Sequence, residues 1–368
     1  MRRGWTSAGG MLLLAALLAG CTEAPQAGGA DDGGNSRERS TLAQVEQRGN
    51  LICGVNDQVP GFGFVNDQGE YEGFDVDFCK AVAAAVLGDP ERVEYKPLTA
   101  QNRITALQSG EIDMLSRNTT ATVSRDVDEG VRFVTTTYYD GARIMVKAEK
   151  GYRSLQDMDG TTICVLSGTT TEQVLATRAQ QAGIEYTPDS YDDNEKIQPV
   201  FERDGCEGWL TDESQAAGVR ANWPESQGGP EALRIFGGEP LSKEPLGPVV
   251  RDGDDQWASV VDWTVQATML AEELGVNSEN VRQIVEDGSD DVDVQRLLGL
   301  EVEGEDGAQV FDPGLGLEPG FVTDVISAVG NYGEIFERNV GPDSRLQLER
   351  ELNALWTDGG LHYPRPYS

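Results

Sequence analysis

The densest group of residues able to do chemistry runs Ser116, Arg117, Asn118, Thr119, Thr120, with Arg125 one loop later. Arg125 carries a planar fork of N–H donors, the geometry that suits a carboxylate. The side chains before it are an abrupt cluster of hydrogen-bonding groups. A second group, Ser167, Gly168, Thr169, Thr170 and Thr171, opens a helical stretch. A Gly-containing loop at a helix start presents backbone N–H groups to an anion. It lacks the Gly-Lys-Ser/Thr of a nucleotide loop. Asp212 can hold an ammonium group; a helix cap is the competing reading. His362 is the only histidine, which argues against histidine triads and histidine-rich metal sites. No catalytic residue, metal or cofactor is expected.

These groups need elements to hold them. Ile112, Met114 and Leu115 follow Gly110 as a short apolar run, which reads as a buried strand of a parallel sheet. In open α/β sheets, ligands sit outside the carboxyl ends of the strands. Read that way, 116–125 is a site; otherwise it is a polar surface loop with a solvated arginine. Upstream, residues 51–55 read as a strand, 73–86 as a helix capped by Asp75, 92–98 as a strand and 102–109 as a helix. Phe62 lies in the loop after the first strand, either over a ligand or in the core. The alternation of strand and helix predicts a doubly wound α/β unit.

A second such unit follows. Residues 161–166 and 205–210 read as strands, with a helix at 172–181 between them. Residues 138–147 read as a crossing to this unit, and Val249 and Val250 as the return. Helices are expected at 256–274, 321–339 and 344–356, with a tail at 359–367 that wraps a lobe.

Arg2 and Arg3 precede an apolar run at 11–19, too short to span a bilayer and shaped like a signal-peptide core. It ends in Leu18, Ala19, Gly20 and Cys21, which looks like a bacterial lipobox with Cys21 as the lipidated residue; a plain secretory signal is the alternative. Residues 22–40 read as a flexible tether. The net charge of −34 argues against nucleic acid and anionic lipid as partners. Four further cysteines permit three pairings. Cys53–Cys79 with Cys164–Cys206 is preferred, because each bridge then stays within one lobe; four free thiols are the alternative.

Gly73, Phe74, Asp75, Val76 and Asp77, followed by an apolar helix, resemble the signature of the family 3 extracellular solute-binding proteins. Further stretches resemble that family's general L-amino-acid-binding branch: 97–100, 116–120, 138–141, 167–171, 242–248, 254–257, 330–334 and 352–356. The resemblance implies a type II periplasmic-binding fold, with lobe one at 41–142 and 247–368 and lobe two at 143–246. It implies capture of L-amino acids outside the cell and delivery to an ABC importer permease by lobe closure. Carried over by position, Arg125 would pair with the ligand α-carboxylate, and Asn118 and Thr120 would add hydrogen bonds. Thr170 and the Gly168–Thr169 backbone would meet the carboxylate from lobe two, and Asp212 would take the α-ammonium. Arg117 would reach an acidic side chain or serve the structure. One buried cation and one buried anion are what a zwitterion needs. The expected protein is a monomer held at the membrane by its lipid alone. The competing functions are a cyclohexadienyl-dehydratase-like enzyme on the same fold and a structural or sensory surface lipoprotein. The sequence departs from the branch around Val123 and Trp209, and in its acidity.

Overall fold

The computed structural model describes residues 40–368, except 237, 305 and 306. The leader, Cys21 and all but the last residue of the tether lie outside the described residues. Two five-stranded sheets form two halves, and both follow one plan. In the first, the order is Val93–Pro97, Leu51–Val55, Met114–Leu115, Val249–Arg251, Val131–Phe133. The first three strands run parallel and Val249–Arg251 runs against its neighbours. The second sheet runs Thr187–Tyr191, Thr162–Leu166, Gly208–Asp212, Ala142–Lys147, Leu233–Ile235. Here again three strands are parallel and the fourth antiparallel.

The apolar runs form the middle strands because both faces are covered. The Phe74–Leu87 helix buries nearly every residue on its length, and the Asp255–Glu273 and Phe321–Val329 helices pack against it. Asp113 fastens the first sheet at its amino end. Its Oδ2 accepts from Ile52 N at 2.7 Å and pairs with Arg48, while its carbonyl accepts from Trp257 Nε1 at 3.0 Å. The second half has its own core, built on Phe201, Trp209 and Trp223. Among the described residues no helix is long and apolar enough to cross a membrane.

The crossing between halves is shorter than expected. Ala142–Lys147 belongs to the second sheet itself. The hinge is a two-stranded antiparallel ribbon, Tyr138–Asp140 with Glu244–Leu246, in which Glu244 faces Asp140. Three other expectations need correction. Asp75 does not cap its helix; Gly73 takes that position, and Asp75 instead accepts from Asn118 N at 2.6 Å. The 321–339 helix is two helices, because Gly330 stops the first and Asn331 caps Tyr332–Asn339. Residues 344–356 form no α-helix. Gln347 and Glu351 have positive φ, which L-residues do not sustain in a helix, and only short 3-10 turns at Glu351–Asn353 and Trp356–Asp358 appear.

The disulfides pair Cys53 with Cys79 and Cys164 with Cys206. Each ties a central strand to a neighbouring element of its own half. The loops they close are 26 and 42 residues, so the loop-entropy model gives about 3.5 and about 4 kcal/mol of stabilisation. Cys53→Ser with Cys79→Ser, and Cys164→Ser with Cys206→Ser, should each lower the unfolding free energy by roughly 3–4 kcal/mol in urea titration. Losses below ~1 kcal/mol would show that the bridges constrain little.

Candidate functional site

The carboxyl ends of the parallel strands of both sheets face one another across a narrow cavity. Asn56, Arg103, Arg117, Asn118 and Thr120 line it from the first half. Leu166, Thr169, Thr170, Asn194, Asp212 and Gln215 line it from the second. The two sides touch. Thr120 Oγ1 lies 3.3 Å from Thr170 Oγ1, Gln58 Nε2 donates to Asp193 Oδ2 at 3.3 Å, and Arg125 Nη2 approaches the Gly168 carbonyl at 3.5 Å.

Arg125 is buried beside the cavity, not in its lining. Its Nη1 donates to the Thr120 carbonyl at 2.9 Å, and with Arg103, Gly168 and Thr170 it walls an adjoining recess. Arg117 lines the cavity while its Nε donates to Leu98 O at 2.7 Å. Its guanidinium is thus anchored to the main chain while it borders the cavity. Asn118 sits at positive φ, held by its N–H on Asp75 and by its side chain between Asn56 and Asp212. Thr170 begins the Thr170–Ala182 helix, with Thr169 as its cap. The helix start thus points its N–H groups at the cavity. Thr170 Oγ1 donates to Glu244 Oε2 at 2.7 Å, which engages its hydroxyl with the hinge. Asp212 ends its strand as expected. It occupies the capping position of the next helix, yet its side chain makes no capping bond.

Phe62 is not brought to the cleft. It is 0 % exposed and packs edge-on to Tyr138 at 5.1 Å and against Phe74 at 5.7 Å. Gly61 turns the loop at φ 86° and Gly63 lets it lie close against the Asn56 backbone, and the ring enters the core of the first half.

Asn56, Arg103, Leu166, Asn194 and Gln215 line the cavity without having been anticipated, and Arg103 and Asn194 are the two with an unpaired buried atom. Arg103 is only 3 % exposed, and its Nη1 reaches Arg117 O at 3.5 Å. Its Nε has no partner among the described residues. Asn194, across the cavity at the start of the Asn194–Glu202 helix, has an unpartnered Oδ1. Buried polar atoms are rarely left so, and each such atom needs a reason. One signal for Arg103 was available: it stands at the first position of the Arg103–Ser109 helix, where a cation opposes the macrodipole.

The cleft electrostatics follow from burial. Desolvation pushes Arg103 well below its usual range, and the fields of Arg117 and Arg125 add to this. Arg117 falls to about 10 by burial, against the pull of Asp75 and Asp57. Arg125 is lowered by burial too. On the acid side, burial raises Asp212 well above the carboxylate range, helped by Asp140 and Glu244. Asp75 and Asp140 rise to about 7, each by burial and against the hydrogen bonds it accepts.

Two α/β halves, a two-strand hinge and a charged cavity between them define a two-lobed ligand-binding protein of the type II periplasmic-binding fold. Residues 51–280 match the profile of the bacterial extracellular solute-binding proteins, family 3, and the chain belongs to that family. It is 43% identical over 358 residues to the glutamate/glutamine/aspartate/asparagine-binding protein of Rhodobacter capsulatus, covering 97% of this chain and 98% of that one. It is 43% identical to the general L-amino acid-binding periplasmic protein of Rhizobium johnstonii, over 91% of this chain and 94% of the relative. A similar solved structure is an ABC transporter / periplasmic binding protein from Brucella ovis with glutathione bound. Its TM-score is 0.83 at 43% identity, with 89% of this chain and 99% of that chain covered.

The raised carboxylates set a direction for stability. Asp75 and Asp140 bind protons more tightly folded than unfolded, so the folded state holds more protons between about pH 4 and pH 7. Their contribution therefore grows as pH falls through 7 and is complete below about 4. The ligand-free protein should melt higher at about pH 5.5 than at about pH 8, aided by reduced self-repulsion. Asp75→Asn should flatten this rise; an unchanged slope in a folded variant would mean Asp75 is already charged throughout.

Proposed function

We propose that this chain captures L-amino acids on the outer side of the cytoplasmic membrane and passes them to the permease of an ABC importer. The observation that carries the reading is the cavity shared by the two halves. Buried arginines come from one side; Asp212 and a helix start come from the other. That is the charge pattern of a zwitterion laid across a cleft. Arg125, Thr120 and the amino end of the Thr170–Ala182 helix hold the α-carboxylate, while Asp212 and Asn118 hold the α-ammonium. Lobe one comprises 41–142 and 247–368, and lobe two 143–246. Closure is driven because the ligand gains partners on both lobes only in the closed form. A leader ending before Cys21 exports the chain, and a lipid on Cys21 keeps it, as a monomer, at the membrane.

Arg103 and Asn194 select the side chain. An unpartnered guanidinium N–H suits the oxygen of a carboxylate or carboxamide on the ligand, and an unpartnered amide oxygen suits a carboxamide N–H. The name of the Rhodobacter capsulatus relative, which covers glutamate, glutamine, aspartate and asparagine, agrees with that chemistry. The activity is binding, not turnover, as the names of the relatives also have it.

The test is a thermal-shift screen of the ligand-stripped protein against L-amino acids, with D-isomers, glutathione, sugars and prephenate as controls. A ligand at a hundred times its Kd stabilises by about 2.7 kcal/mol, which moves the midpoint by several degrees. Shifts with L-glutamate, L-aspartate and their amides are expected; no shift with any amino acid would overturn the reading. Arg125→Ala and Asp212→Ala should each weaken binding by about two to three orders of magnitude, because each strands a buried ligand charge. Arg103→Gln should weaken L-glutamate roughly tenfold or more relative to L-alanine, and equal losses for both ligands would remove Arg103 from the side-chain subsite. Affinity for L-glutamate should also fall as pH drops into the range where Asp212, raised above the usual carboxylate range by burial, takes up its proton, since protonated Asp212 no longer pairs with an ammonium.

A further inference from the structure

The stretch matched by the family profile ends at residue 280, yet the hinge is held by residues far beyond it. The two hinge strands leave the backbone of Tyr139 on their outer edge. Asn353, buried, takes both groups with one amide. Its Oδ1 accepts from Tyr139 N at 2.6 Å and its Nδ2 donates to Tyr139 O at 3.2 Å. The amide thus plays the part of a third strand on the hinge ribbon. The chain after it is pinned to the same place. His362 Nε2 lies 2.9 Å from the Tyr332 hydroxyl, which donates to Thr137 O at 2.8 Å, one residue before the hinge strand. The Tyr332 proton is thereby committed, so His362 must donate. Burial lowers His362 to about 3, so it does this as the neutral imidazole.

The same segment also reaches across the cleft. Arg345 Nη1 donates to Asn222 Oδ1, at the end of the Glu213–Ala221 helix of the second half, at 3.0 Å. Leu346 is buried over Gly61 in the first half and stands close to Gly218 on that second-half helix. A Cβ on Gly61 would meet Leu346 at 2.6 Å, and one on Gly218 would lie 3.9 Å from it and 3.0 Å from Pro60 O. Missing side chains at these two glycines let the halves close over Leu346.

We propose that residues 340–363 are a strap that sets ligand retention. Asn353 is a positioning residue for the hinge, and Arg345 and Leu346 form a second contact between the halves, made in the closed form and distinct from the ligand. The strap rests on the reading of capture by closure. It adds a stabilising term to the closed state that no ligand group supplies, so it slows release of every ligand alike.

The experiment uses the full chain with L-glutamate as probe. Dissociation is followed by stopped flow, and exchange of the Tyr139 amide is followed in the ligand-free protein. Arg345→Ala and Asn222→Ala should each raise koff about threefold to fivefold, and the double variant should add little. Asn353→Ala should raise koff similarly and speed exchange at Tyr139 about tenfold or more, while Asn353→Asp, which keeps the acceptor, should keep that amide slow. A strap that merely stabilised the fold would lower the melting temperature and leave koff alone. Values of koff within about twofold of the parent in Arg345→Ala and Asn222→Ala would overturn the proposal, and both exposed positions are expected to leave folding intact. Parent protein that binds no amino acid would sink the capture reading alone. In that case unchanged Tyr139 exchange in Asn353→Ala would overturn the hinge role, and faster exchange would support it.

Discussion

Three guanidinium groups, Arg103, Arg117 and Arg125, are buried within reach of one another's fields on one wall of a cleft. Placing like charges together out of water is costly. The protein meets part of that cost with main-chain carbonyls, those of Leu98, Arg117, Thr120 and Gly168. The rest is met by carboxylates set a little further off: Asp75 and Asp57 near Arg117, Asp212 facing Arg103, Glu244 and Glu129 near Arg125. Such a balance holds the arginines in place without saturating them. A ligand anion enters a field already arranged for it, which limits the reorganisation that binding requires.

The acid side is built in the same manner. Asp140 and Glu244 face each other in the hinge ladder, where like charges are ordinarily unfavourable. Each is supplied with its own donors. Ser214 Oγ and Gly141 N serve Asp140; Thr170 Oγ1 and Ser242 Oγ serve Glu244. Asp212 is raised first by burial and then by the fields of both, so a cation placed beside it would relieve a desolvated carboxylate in competition with the proton. The overall charge of −34 says nothing of this local order. It is spread over solvated faces, while the groups that matter to the cleft are few and buried.

Much of this was legible in the chain. A short apolar run ending in Ser116 to Thr120 placed polar side chains at a strand's carboxyl end, and the sheet delivers them to the cleft. Asp212 could be located by the same rule, although only the structure distinguishes it from a cap. Phe62 was ambiguous because an aromatic after a strand serves a core as readily as a ligand, and two glycines decide the matter by turning the loop inward. Arg103 was hidden by its neighbours: read by periodicity it is one more polar residue on an amphipathic helix. Its misfit with the helix dipole is the kind of local inconsistency that marks functional positions. Residues 344–356 misled because helix-forming composition is a weak prior. Here the Leu348 N–H is bonded to the Val340 carbonyl instead, and the Asn353 side chain is turned to the hinge.

Glu244 connects these arrangements. It is a hinge residue, yet it accepts the hydroxyl proton of Thr170, the first residue of the helix aimed at the cavity. Thr170 in turn meets Thr120 from the other half. The chain Thr120, Thr170, Glu244 therefore runs from the first half, through the cavity-facing helix start of the second, into the ribbon that joins them. A hydroxyl has one proton to give. While Glu244 holds it, Thr170 can offer the cavity only its backbone N–H and its lone pairs. The geometry of the hinge and the donor pattern of the site are thus one hydrogen-bond system. A change in the angle between the lobes must break or re-form the Thr120–Thr170 contact, which is how occupancy of the cleft and the posture of the hinge come to depend on each other.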